Sequence, residues 1–210
     1  MVALLVALTS GYLCGSLPWG LWLGQWIRGV DVRALGSRNL GATNVYRTLG
    51  PAVGVAVLAL DIAKGALPTW LVPEVAITSG FPGGAEWCRI AVGLAAVLGH
   101  VFTMFAGFRG GKGVATTVGV LLALSPPAFG VFVLVFVAVV AITRFISLGS
   151  ILGSLAFSAT LAVTAPLGFQ SPTVLLGMVL AVVVIVRHQE NIARLLRGEE
   201  RRFSFRREAS

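Results

Sequence analysis

Residues Leu35 to Gly50, LGSRNLGATNVYRTLG, lie between two long apolar runs and contain too few apolar side chains to form a core of their own. The glycines Gly36 and Gly41 let backbone N–H groups turn toward an anion. Ser37, Asn39, Thr43 and Asn44 add neutral hydrogen-bonding groups, and Arg38 and Arg47 add fixed positive charge. Such a composition suits a phosphate. Placed between apolar runs, it makes the stretch a polar loop joining two membrane spans.

The rest of the chain agrees. Of 210 residues, 57% are hydrophobic and only 11% are charged, and the mean hydropathy is +0.92. So few charges do not cover a water-soluble domain of this size, so the expected fold is an all-α, polytopic integral membrane protein forming a single domain over residues 1–210. The net charge of +8 does not point to nucleic acid, because the basic residues sit between and after apolar runs instead of forming a surface stripe. Cys14 and Cys88 have neither a metal spacing nor a disulfide framework and read as packing residues. The apolar N-terminal stretch lacks a basic leader and reads as a retained span.

Seven spans are expected: Val2 to Trp26, Pro51 to Val72, Arg89 to Phe108, Lys112 to Leu124, Ala128 to Thr143, Ile146 to Ala165 and Pro172 to Val186. Pro18 is expected to kink the first, and Pro126-Pro127 to make an outer turn between the fourth and fifth. Outer loops are expected at Pro73 to Trp87 and Pro166 to Ser171. With the N-terminus outside and the C-terminus cytoplasmic, 14 of the 16 Lys and Arg residues lie at or near the cytoplasmic face, Lys64 and Arg89 being the exceptions. Asp61 and Lys64, three residues apart inside the second span, read as a neutralising pair facing the bundle, with a role beneath the active site as the alternative.

That topology brings four polar, basic segments to one face: residues 28–50, 107–113, 144–147 and the extension from Arg187. Gly110-Gly111-Lys112-Gly113 opens the fourth span, so free N–H groups, helix dipole and lysine face the same way. It is no nucleotide P-loop, since Ala106 stands where that pattern needs a glycine and Gly113 where it needs Ser or Thr. Thr116 and Thr117 read as packing residues whose hydroxyls bond within their own helix. His188 and Asn191 are expected to share a face of an uninterrupted last helix, with Arg144 and Ser147 able to reach the same anion.

Three segments, GSRNLGATNVYR (Gly36 to Arg47), GHVFTMFAGFRGGKGVAT (Gly99 to Thr116) and RHQENIARLLRGEE (Arg187 to Glu200), resemble in order and spacing the signatures of the bacterial membrane acyl-phosphate:glycerol-3-phosphate acyltransferases. DIAKG (Asp61 to Gly65) and RFIS (Arg144 to Ser147) extend the likeness over essentially the whole chain. Arg38 and Thr103 depart from it, at places where a smaller residue and a proline are usual. The resemblance implies transfer of a fatty acyl group from acyl-phosphate to the 1-hydroxyl of sn-glycerol 3-phosphate, releasing lysophosphatidic acid and inorganic phosphate. It implies an active site facing the cytoplasm in a bacterial inner membrane, with membrane lipid around it, no covalent acyl-enzyme, and no metal or other cofactor.

On that basis the catalytic groups are Ser37, Arg47, Lys112, Ser147, His188 and Asn191. Phosphate contacts fall to Gly36, Asn39, Gly41, Thr43, Asn44, Gly110, Gly111, Gly113 and Arg144, and His100 is a structural hydrogen-bonder. Competing readings fit less well. A carrier usually places its site at the midplane and repeats a motif in two halves, and no repeat is visible. Acyl-CoA-dependent enzymes carry His-x-x-x-x-Asp, but Phe105 and Ala193 stand five residues after the two histidines. Asp31 and Asp61, the only aspartates, do not form the metal-binding cluster of an alcohol phosphotransferase.

Overall fold

The computed structural model describes residues 2–78, 81, 83–165 and 168–203. Its helices are α1 (Val2–Gly15), α2 (Trp19–Arg28), α3 (Ala42–Leu49), α4 (Pro51–Thr78), α5 (Gly84–Val101), α6 (Val114–Leu124), α7 (Pro126–Thr143), α8 (Ile146–Thr164), α9 (Pro172–Arg187) and α10 (Gln189–Leu196). They form two compact units, one ending at Leu124 and one starting at Ser125. Among the described residues, five stretches are long and apolar enough to cross a membrane: Val2–Arg28, Pro51–Glu74, Gly84–Ala106, Pro126–Thr143 and Ile146–Thr164. A sixth is obtained by joining α9 to α10 across a 60° bend, and α6 is a shorter apolar helix.

In the first unit α4 packs on α5 and α6, and α1 packs on α5 and α4. Close approach of α4 and α6 depends on side chains being absent: a Cβ on Gly119 would lie 2.0 Å from the Ile62 carbonyl. A small apolar cluster, including Leu21, Val32, Leu40, Val45, Leu49 and Val53, pins α2, α3 and the start of α4 together. The Leu35 to Gly50 loop therefore rests on a core it shares with α2 and α4. In the second unit α7 and α8 pair, and α8 packs on α9. Ser150, Ser154 and Ser158 of α8 each donate to the carbonyl four residues earlier, and Ser158 also donates to the Gly177 carbonyl of α9 at 2.9 Å. These bonds satisfy hydroxyls that would otherwise be buried without partners.

Several expected boundaries move. The first span extends to Arg28 and is interrupted at the expected Pro18, because the chain leaves helical geometry between Gly15 and Trp19. Pro18 has no N–H to continue the ladder and stands at φ −88°, ψ 68°. Helix α4 runs past Val72 to Thr78 and keeps Pro68 and Pro73 inside it, which membrane helices tolerate when neighbours satisfy the freed carbonyls. Helix α5 starts earlier than expected and ends at Val101, with a single 3-10 turn at Met104–Ala106 beyond it. The expected continuous last helix is bent by 60° at His188, although neither proline nor glycine is there. Gly80 and Pro82 of the expected outer loop, Pro166, and the tail from Ser204 lie outside the described residues.

Candidate active site

The loop preceding α3 is built around one side chain. Asn44 is only 2% exposed. Its Oδ1 accepts the Ser37 N–H at 2.8 Å, and its Nδ2 donates to the carbonyls of Val32, Leu35 and Asn39 at 3.2, 3.1 and 2.9 Å. Those bonds commit the amide to the loop itself, so Asn44 shapes the site instead of offering its donors to phosphate. Asn39 closes a second small turn by accepting the Gly41 N–H at 2.8 Å. Gly36 has φ 56°, and a Cβ there would lie 2.4 Å from Asn44 Oδ1, so both conformation and space require glycine. The outcome is a folded-over loop whose Gly36, Ser37, Arg38 and Arg47 are exposed.

The second loop of this unit is held just as locally. The Gly110 and Gly111 N–H groups donate to the Val101 and His100 carbonyls at 3.0 and 3.1 Å. A Cβ on Gly111 would lie 2.1 Å from His100 Nε2, so the loop sits directly against the imidazole. Lys112 and Gly113 then lead into α6, whose first turn points its N–H groups back toward the lysine. Thr116 and Thr117 are buried, as a packing role requires, but their hydroxyls have no hydrogen-bond partner among the described residues, contrary to the expected bonds within α6.

His100 is buried, and its Nδ1 lies 3.7 Å from Asp61 Oδ1. Thr103 explains its own departure from the usual proline: its hydroxyl donates to the Ser16 carbonyl at the end of α1. A proline there could not make that bond.

In the second unit the expected residues gather around a carboxylate that the sequence reading did not single out. Glu200 Oε1 accepts from Ser147 Oγ at 2.7 Å and from Asn191 Nδ2 at 2.6 Å, while Oε2 accepts from Arg194 Nε at 2.8 Å. Gly198, at φ 72°, turns the chain so that Glu200 comes back over α10. Burial by itself would raise the Glu200 pKa. The hydrogen bonds from Asn191, Ser147 and Arg194 outweigh it and hold the pKa below its ordinary value of 4.5. Three converging donors require an acceptor, and Glu200 supplies it.

His188 stands at the bend between α9 and α10, and its Nδ1 donates to the Val184 carbonyl at 2.7 Å. That bond orients the ring and directs Nε2 away from α9. Arg144 ends α7 in the left-handed region at φ 62°, and its carbonyl accepts the Phe203 N–H at 2.6 Å. Ser147, His188 and Asn191 are thus brought into one folded region of this unit. Ser37, Asn39, Asn44 and the glycine-lysine loop belong to the other.

Apolar spans joined by glycine-built, cationic loops define a multi-pass membrane protein. The family model for glycerol-3-phosphate acyltransferase matches residues 5–198, and the chain belongs to that family. A glycerol-3-phosphate acyltransferase of Geobacter sulfurreducens is 47% identical over 201 residues, covering 95% of this chain and 97% of the relative. One from Trichlorobacter lovleyi is 46% identical over 204 residues, covering 97% and 99%.

The crystal structure of PlsY, an integral membrane glycerol 3-phosphate acyltransferase, in its glycerol 3-phosphate form matches with a TM-score of 0.85 at 39% identity over 96% of both chains. Its lysophosphatidic acid form gives 0.83 at 38% over the same shares. The chain is an integral membrane acyltransferase.

Proposed function

We propose that this acyltransferase moves a fatty acyl group from acyl-phosphate to the 1-hydroxyl of sn-glycerol 3-phosphate, giving lysophosphatidic acid and inorganic phosphate. The acyl carbon–oxygen bond of the mixed anhydride breaks, the ester bond forms, and the hydroxyl proton leaves on the departing phosphate. The donor is already activated, so orientation and charge stabilisation supply the rate with neither a metal nor an acyl-enzyme. Seven spans with the N-terminus outside place the basic loops at the cytoplasmic face of a bacterial inner membrane, where both substrates are reached.

The observation that supports this reading best is the first loop. Its buried amide is spent on its own backbone, and Ser37 and Arg47 are left on the exposed side. Ser37, Arg47 and Lys112, with the backbone of Gly36 and Gly113, are assigned to phosphate oxygens; Gly41, Gly110 and Gly111, whose N–H groups are spent on Asn39 Oδ1 and on the Val101 and His100 carbonyls, shape the loops, as Thr43 and Asn39 do. Arg144, Ser147, His188 and Asn191 of the second unit are assigned to the substrates' phosphates and hydroxyls.

The test is release of phosphate from palmitoyl-phosphate by purified protein. Release should need glycerol 3-phosphate and should match lysophosphatidate formed one for one. Lys112→Ala and Arg47→Ala should each lower kcat/KM by roughly 10- to 150-fold, the worth of one charge-assisted hydrogen bond. Phosphate exchange across liposomes without lysophosphatidate would refute the assignment.

A further inference from the structure

Asp61 and Lys64 are buried in α4, where a charged pair is costly and an apolar pair would serve the helix equally well. Their contacts explain why they are there. Lys64 Nζ lies 2.8 Å from Asp61 Oδ1 and donates to the Leu17 carbonyl at 2.7 Å. Leu17 stands in the break between α1 and α2, where Pro18 interrupts the helical ladder. Lys64 and Thr103 together take the Leu17 and Ser16 carbonyls of that break and so fix where α2 begins. One residue beyond Trp19, Gly20 packs so tightly on the first loop that a Cβ would lie 2.0 Å from the Leu40 carbonyl.

On its other side the pair reaches the second loop. Asp61 Oδ1 faces His100 Nδ1 at 3.7 Å. The His100 ring lies against Gly111, and its carbonyl holds the Gly111 N–H at 3.1 Å. Leu40, Asp61, Lys64, His100 and Gly111 line one small cavity beneath both loops.

We propose that Asp61, Lys64 and His100 are positioning residues. Touching no substrate themselves, they set the spacing between the Leu35 to Gly50 loop and the glycine-lysine loop, and through it the fit of the phosphate. The inference rests on those loops binding phosphate. It adds that a buried ion pair, reaching one loop through the Leu17 carbonyl and the other through His100, holds them in register. A displacement of about 1 Å at such a site costs up to roughly 100-fold in rate, so small movements of either loop are sufficient.

The experiment separates positioning from stability. In Asp61→Leu/Lys64→Met both charges are removed together, which keeps the fold because no buried charge is left alone. Its melting temperature should stay near that of the parent, while KM for glycerol 3-phosphate rises roughly 10- to 100-fold. A folded double variant with parental KM and kcat would overturn the proposal.

His100→Asn provides an independent reading, and the deciding one if the double variant does not fold. It keeps an amide near Asp61 and removes only the ring edge beneath Gly111. KM should rise, and Gly111→Ala should then cost less in that background than in the parent, because its Cβ no longer meets the ring. Strictly additive effects would overturn the proposal. Lys112→Ala keeps the two claims apart: if it is fully active, the loops do not bind phosphate; if it is inactive while His100→Asn and the double variant are normal, only the positioning network fails.

Discussion

Two asparagines anchor the polar parts of this chain, and they do so by opposite means. Asn44 is bonded to backbone: one N–H and three carbonyls, all neutral and all within twelve residues. Asn191 is bonded to a carboxylate, Glu200, which also gathers Ser147 and Arg194. The first loop is therefore shaped by groups that do not titrate. The second depends on a charge being present. The first arrangement makes a rigid loop, and the second holds hydroxyl, amide and guanidinium donors in fixed directions.

The largest effect that would sharpen this contrast is expected from Asn44→Ala. It strips a buried loop of four hydrogen bonds at once, and unsatisfied groups of this kind cost about 1 to 3 kcal/mol each where water cannot reach them. Because Ser37 and Asn39 remain near solvent, the net loss should be about 2 to 4 kcal/mol. Folded Asn44→Ala should retain little activity, since the Asn44 Oδ1 bond to the Ser37 N–H ties that residue to α3, the helix that carries Arg47. Asn44→Asp should be no better, because it turns oxygen toward three carbonyls. Thermal unfolding in detergent together with kcat/KM on the folded fraction measures both, and near-parental activity in Asn44→Ala would mean that the amide does not shape the site.

Glu200→Gln is expected to be milder at neutral pH, since an amide still accepts from Ser147 or Asn191 while losing the charge that holds Arg194. A loss of about 1 to 2 kcal/mol is expected. The pH dependence is more telling. The Glu200 pKa in the folded protein lies below the ordinary 4.5, so its contribution is complete above that value and disappears as pH falls through the folded-state pKa. The parent should lose stability across that acid interval, and Glu200→Gln should lose less over the same interval. Equal acid sensitivity in both proteins would detach Glu200 from the second unit's stability.

The sequence shows polar loops clearly because glycine, amides and cations between apolar runs have few other uses. It shows partners poorly. Asn44 and Ser37 are both visible as hydrogen-bonding residues, but nothing in their spacing says that one is spent on holding the other. Glu200 looks like an ordinary charge after a glycine until Gly198 turns it back over α10. Helix ends suffer for a related reason. Pro73 argues for an end to α4, yet the helix runs through it to Thr78, and the bend at His188 carries no breaker residue at all. Such features are decided by tertiary contacts, which periodicity does not encode. The charged pair Asp61–Lys64 was visible as a pair facing the bundle, but its reach to Leu17 was not.

The smallest expected effect concerns backbone strain. Among the described residues, the three non-glycine residues with positive φ are Arg38, Phe108 and Arg144, at 58°, 59° and 62°, and each lies in one of the motif loops. A left-handed backbone costs an ordinary residue roughly 1 kcal/mol and glycine almost nothing. Arg38 is exposed. Arg38→Gly should therefore relieve the loop's conformation, offset in part by the greater freedom of glycine in the unfolded chain, for a net change within about 0.5 kcal/mol. If Asn44 alone shapes this loop, kcat/KM should stay within about twofold, whereas a loss near tenfold would show the Arg38 charge at work on the phosphate. The same exchange at Arg144 should not be silent, because that residue is assigned to a phosphate and its carbonyl also holds Phe203. A silent Arg38→Gly beside a damaging Arg144→Gly would show that the neutral, amide-built loop tolerates loss of a charge that the carboxylate-centred region does not.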